Sequence, residues 1–87
     1  MTKKERIIID CAAILSALTE EPTGTVVPAS SIYIALGSDW DRYVAAAYAL
    51  HGAGFAVVSA STIALTPSGA ERAAMIEARL RAAGVDI

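Results

Sequence analysis

The sequence predicts a small α+β domain, mostly helical, in the order helix–strand–helix–helix–strand–strand–helix. Three observations predict it. Gly37-Ser38 places a helix stop directly against a helix start, a gap short enough for the tight corner of a helix-turn-helix. Phe55-Ala56-Val57-Val58 and Thr62-Ile63-Ala64-Leu65 are two short β-rich runs separated by Ser59-Ala60-Ser61, which reads as a hairpin. Two longer windows with helical apolar spacing, 3–19 and 67–83, flank this middle.

The first helix has apolar residues at Ile7, Ile8, Cys11, Ile14, Leu15 and Leu18, one face of a 3.6-residue period. Thr2 is its expected N-cap, with Glu5 three residues on in a capping-box pattern. Lys4, Asp10 and Thr19 are assigned to its polar face. Pro22 and Gly24 then make a loop. Thr25-Val26-Val27 suits a brief edge strand. Pro28 opens a short second helix ending near Leu36, with Ile32 and Leu36 directed inward.

Ser38 is the expected N-cap of the third helix, 39–53, with Asp41 completing a variant capping box. Asp39 and Asp41 in its first turn favour the helix dipole. Tyr43, Ala47 and Leu50 are the expected inward residues and Gly54 the terminator. The fourth helix opens on Thr66 as cap and Pro67 at its first position. Its apolar positions are Ala70, Ala73, Ala74, Met75, Ile76, Leu80 and Ala83, and Gly84 ends it.

The 87 residues make one domain, 1–87. A chain this short buries about 60–65% of the surface it exposes when unfolded, so its stability margin is thin. Apolar residues are 55% and charged residues only 18% of the chain. That excess points to self-association or a partner surface. The single cysteine, Cys11, excludes an internal disulfide and a multi-cysteine zinc site, and reads as a reduced core thiol. No run approaches the roughly 18–20 apolar residues of a membrane span. Asp10 interrupts the apolar start, which argues against a signal peptide, so a cytoplasmic location is expected.

Two segments carry a resemblance to a known family. Leu50-His51-Gly52-Ala53-Gly54-Phe55-Ala56-Val57 looks like a leucine, three residues, glycine, hydrophobic junction between a helix and a strand. Ile63-Ala64-Leu65-Thr66-Pro67-Ser68-Gly69 looks like the hydrophobic-x-Leu-Thr-Pro-x-Gly that closes a wing. Together with the helical corner they resemble the winged helix-turn-helix family of bacterial DNA-binding regulators, over about Ile7 to Leu80. The resemblance implies that the third helix enters the major groove and that the wing touches the backbone. It implies a role in transcription regulation and a homodimer that reads two half-sites, joined through the last or the first helix.

The charge pattern departs from that family. Net charge is −2, and the only basic residue from Ile7 to Glu71 is Arg42. The chain has no Asn or Gln, the side chains that read adenine. Candidate DNA contacts are therefore Arg42, the arm Lys3, Lys4 and Arg6, and the connection residues Ser59 and Ser61. A surface ion pair of Arg42 with Asp39 or Asp41, or with an aspartate elsewhere, competes with that role, and a solvated helix start competes for the arm. The outward face of the third helix shows Trp40, Val44, Ala45 and Tyr48, candidate anchors of a protein interface, with core packing against the second helix as the competing role of Trp40 and Tyr48. That alternative makes the chain an interaction module, such as an accessory subunit or a phage-type inhibitor. His51 has no positioned partner, Ser30-Ser31 has no nucleophile motif, and Gly52 and Gly54 precede a strand rather than a helix. No catalytic residue, metal site or cofactor is expected, and the chain does not read as an enzyme.

Overall fold

A computed structural model describes residues 2–84. It has four helices and a three-stranded antiparallel sheet: α1 (Lys3–Leu18), β1 (Val26–Pro28), α2 (Ala29–Ala35), α3 (Trp40–Gly52), β2 (Ala56–Val58), β3 (Thr62–Leu65) and α4 (Pro67–Ala82). Each element lies within about two residues of its sequence-predicted bounds.

α1 starts where Thr2 can cap it: the Thr2 hydroxyl accepts from the Glu5 amide at 3.1 Å and donates to the Glu5 carboxylate at 3.0 Å. Ile14, Leu15 and Leu18 are buried as their spacing predicts. Ile8 is 59% exposed, so the inward face is narrower than the sequence suggests. Asp10 reverses its expected placement. Assigned to the polar face, it is only 2% exposed, because α3 packs over it and supplies a cation.

The sheet has the order β1-β3-β2, so the last strand in sequence is central. Val27 and Val58 both oppose Ile63, which is completely buried. Burial of one such side chain stabilises by about 1.5–3 kcal/mol. β1 runs one residue later than expected and takes in Pro28, which is tolerated because an edge strand can spare a donor. Pro28 therefore stands at the N-cap position of α2, without a side-chain capping bond, instead of forming its first residue. The Ser59 amide donates to the Thr62 carbonyl at 2.9 Å and closes the hairpin. The Ala29 amide, at the start of α2, donates to the Ser61 carbonyl at 2.8 Å.

At the corner between α2 and α3, Gly37 (φ 81°) is followed by Ser38 (φ 61°), two left-handed residues in succession. A left-handed Ser38 cannot serve as the cap expected of it. Asp39 takes that role, its carboxylate accepting from the Arg42 amide at 3.2 Å. Tyr43, Ala47 and Leu50 are buried as predicted, and so is Ala46, which the sequence reading omitted.

α4 is fastened at its start. The Thr66 hydroxyl accepts from the Gly69 amide at 3.0 Å and donates to the Gly54 carbonyl at 2.7 Å, while the Thr66 amide donates to Phe55 O at 3.1 Å. A Cβ on Gly69 would run into that same Phe55 carbonyl and the Leu65 side chain. The Thr-Pro-x-Gly pattern is thus a clamp that sets α4 against the junction of α3 and β2. Beyond the clamp only Ala73 is buried, with Ala70 and Ile76 half-buried; Ala74, Met75 and Leu80, expected on an apolar face, are exposed.

Candidate functional site

Arg42 lies in the first turn of α3, and its guanidinium is turned onto α1. Nε donates to one Asp10 oxygen at 3.1 Å and Nη2 to the other at 2.6 Å, a bidentate pair. The hydrogen bonds to Asp10 hold Arg42 above its ordinary range, against the opposing effect of desolvation. The structure thus displays the competing ion pair, but with Asp10 of α1 rather than the neighbouring Asp39 or Asp41, and with a buried carboxylate rather than a surface one. The pair is isolated from solvent on its acidic side, since the Asp10 side chain is 3% exposed. Leaving that carboxylate without its cation would be costly. Arg42, the only arginine or lysine of α3, is committed to holding α1 on α3.

A second contact reinforces the same seam. The Cys11 thiol donates to the Ala46 carbonyl at 3.5 Å, and burial, followed by the nearby Asp10 charge, pushes the thiol up. It is half-buried rather than fully in the core, and it stays protonated at neutral pH.

The remaining candidate DNA contacts lie on two other elements, α1 and the hairpin. Lys3, Lys4 and Arg6 are exposed on the first turn of α1. The next residues, Ile7 and Ile8, share a groove with Ala49, Leu50 and Ala53 at the end of α3. Along α1, Lys3, Lys4 and Arg6 precede Asp10, the partner of Arg42, by four to seven residues, about 6–10 Å of helix. Ser59 and Ser61 are exposed at the hairpin connection, next to the start of α2.

The candidate protein-interface residues divide into two pairs. Trp40 is 44% and Tyr48 54% exposed. Val44 and Ala45 are half-buried, and Val44 packs against the core. Trp40 is held in an aromatic cluster: its ring centroid is 5.4 Å from Tyr33, edge-on, and 5.1 Å from Tyr43, tilted. Tyr48 has His51 as an edge-on neighbour at 6.5 Å. Packing against the second helix, the role that competes with an interface, thus holds in part for Trp40, which meets Tyr33 of α2, whereas the aromatic neighbour of Tyr48 is His51 of its own helix. The Tyr43 hydroxyl is buried in this region without a protein hydrogen-bond partner, and burial pushes its phenol up.

Among the described residues no cluster of three or more His, Cys, Asp or Glu could hold a metal ion. No helix among them is long and apolar enough to cross a membrane. Comparison with protein-family models, with curated proteins and with solved structures gives no match to this chain.

Proposed function

We propose that the chain is a winged-helix module whose α3 docks on a protein, with Trp40 and Tyr48 as anchors and Val44 and Ala45 as the small surface between them. The observation that carries this reading is the Asp10–Arg42 pair. With Arg42 turned inward, what α3 offers is aromatic and apolar, flanked by the exposed Asp39 and Asp41. Phosphate neutralisation supplies most of the affinity in DNA recognition, and this face has little to contribute to it. Buried aromatic anchors are instead what protein interfaces use. The partner nearest to hand is a second copy of the chain, in keeping with its 55% apolar content. Light scattering over a concentration series tests this. The wild-type chain is expected to associate and Tyr48→Arg to stay monomeric; association unchanged in Tyr48→Arg and Trp40→Ala would overturn the assignment of the face.

A second reading is favoured by the exposed Lys3, Lys4 and Arg6 together with the element order: a DNA-binding regulator acting as a homodimer. Two copies double this arm, and the arm rather than α3 then supplies the phosphate contacts. Fluorescence anisotropy with duplex DNA from about 20 mM salt upward tests it, since each phosphate contact adds about −0.9 to the log–log salt slope. Absence of binding at the lowest salt would remove this reading. Retention of binding in Lys3→Ala/Lys4→Ala/Arg6→Ala would move the contacts elsewhere.

A further inference from the structure

Between α1, the end of α3 and α4 lies an open groove of about 400 Å³. That is within the range of about 300–1,000 Å³ usual for small-ligand sites. Its walls are Ile8, Cys11 and Leu15 of α1 and Ile76 of α4; Leu50 and Phe55 lie at its floor. Ile8 is 59% exposed here, a large apolar side chain left partly in water.

The charged residues that line the groove are of one sign: Arg72 and Arg79. They are seven residues apart, hence on one face of α4 and about 10 Å apart along its axis, with Ile76 between them. The other arginines that pair in this structure show what these two lack. Arg42 is matched by Asp10 and Arg81 by Glu77, whereas no described carboxylate lies within ion-pair reach of Arg72 or Arg79. The Arg72 guanidinium rests 5.6 Å from the centre of the Phe55 ring, so its position is set by the groove floor.

An apolar trough flanked by two uncompensated guanidiniums complements a molecule with a carboxylate head and an apolar body. Guanidinium binds carboxylate bidentately, and the walls take the hydrocarbon. A second copy of the chain is a poor occupant. Lys3, Lys4 and Arg6 precede Ile7 and Ile8 by about one turn, so a two-fold contact across this face would oppose like charges. We propose that this groove binds a small amphipathic carboxylate, with Arg72 or Arg79 holding the head and Ile8, Phe55 and Ile76 the body. The proposal is independent of whether α3 meets protein or DNA.

Decanoate, below its micellar concentration, is a suitable probe, with decan-1-ol as a neutral control of equal chain length. Backbone amide shifts of the full chain are followed during each titration. Decanoate is expected to bind at least tenfold more tightly than decanol, with the shifts confined to Ile8, Cys11, Phe55, Ile76 and their neighbours. Arg72→Gln/Arg79→Gln, both at exposed positions, is expected to keep the fold by circular dichroism and to reduce decanoate to the affinity of decanol. Equal binding of acid and alcohol, shifts centred away from the groove, or undiminished decanoate affinity in the double variant would each overturn the proposal. So would a doubling of molecular mass that tracks the shifts, or saturation of the groove by an acidic amphipathic peptide but not by decanoate.

Discussion

Both α3 and α4 are alanine-rich helices opened by a side-chain cap, Asp39 on the Arg42 amide and Thr66 on the Gly69 amide, but they are held differently. α3 buries Tyr43, Ala46, Ala47 and Leu50 over its whole length, and an ion pair and a thiol contact join it to α1. α4 buries only Gly69 and Ala73, both in its first half. Beyond them it leaves two grooves against α1 and exposes Met75 and Leu80. The difference lies in what each helix meets. Alanine packs closely where a second surface is already in place, as α1 and the sheet are for α3. It fills little where a helix has a single neighbour. Capping starts both helices equally well, and only burial decides how far each is held.

The largest expected effect breaks the α3 side of this contrast. Arg42→Ala leaves Asp10 buried without a cation and is expected to lower Tm by more than about 10 °C, as one cooperative transition. Asp10→Leu/Arg42→Met is expected to recover most of that loss, since an apolar pair of similar volume carries no desolvation cost. A small change in Arg42→Ala would mean that the pair does not hold α1 on α3. Gly69→Ala comes next, at about 3 kcal/mol, because the new methyl must displace backbone. Hydrogen exchange should show α4 amides losing protection before those of α1 and α3. Loss of protection throughout at once would erase the distinction between the helices.

A smaller effect concerns the unpartnered hydroxyl in the α3 core. Tyr43→Phe is expected to leave stability unchanged or raise it by about 1 kcal/mol at neutral pH, since it removes a buried donor that has no acceptor. It also has a pH signature. Burial, followed by the charge of Tyr48, raises the folded-state value above the ordinary 10.0. As pH rises past about 10 the unfolded chain loses its proton first, so the stability present below that pH is lost as pH climbs through the folded value. Chemical denaturation between pH 8 and about 11 should therefore show a steeper decline in the wild type than in Tyr43→Phe. The smallest effect is on α4: Met75→Ala, at a side chain 46% exposed, should change stability by less than about 0.5 kcal/mol in the monomer. A larger loss that depends on protein concentration would show α4 covered by another chain.

Local chemistry explains which features could be read from the sequence. The caps at Thr2 and Thr66, the stop at Gly54 and the hairpin of β2 and β3 each depend on residues within a few positions of one another. Ser38 failed as a cap because the left-handed turn begun by Gly37 runs one residue further, and Asp39, an equally good cap chemically, follows it. The Asp10–Arg42 pair spans 32 residues and no local pattern encodes it. A signal for it was nonetheless present: one acid inside an apolar helical run, and one base in a stretch otherwise empty of them, are complementary exceptions. The exposure of Met75 and Leu80 had no such signal, because periodicity marks an apolar face whether or not a partner element covers it. The paired state of Arg42 was the decisive fact about α3, and it came from tertiary packing rather than from the spacing of α3 itself.

The reach of that ion pair also has a consequence in time. On the ribosome, Asp10 is made 32 residues before its partner, which at about 5–20 residues per second is a delay of roughly 2–6 s, to which passage through the exit tunnel adds. Until Arg42 emerges, docking α1 would desolvate a carboxylate with no cation to receive it. The first helix is thereby kept from settling early onto an incomplete chain, and Ile14, Leu15 and Leu18, which the fold buries, stay accessible through that interval.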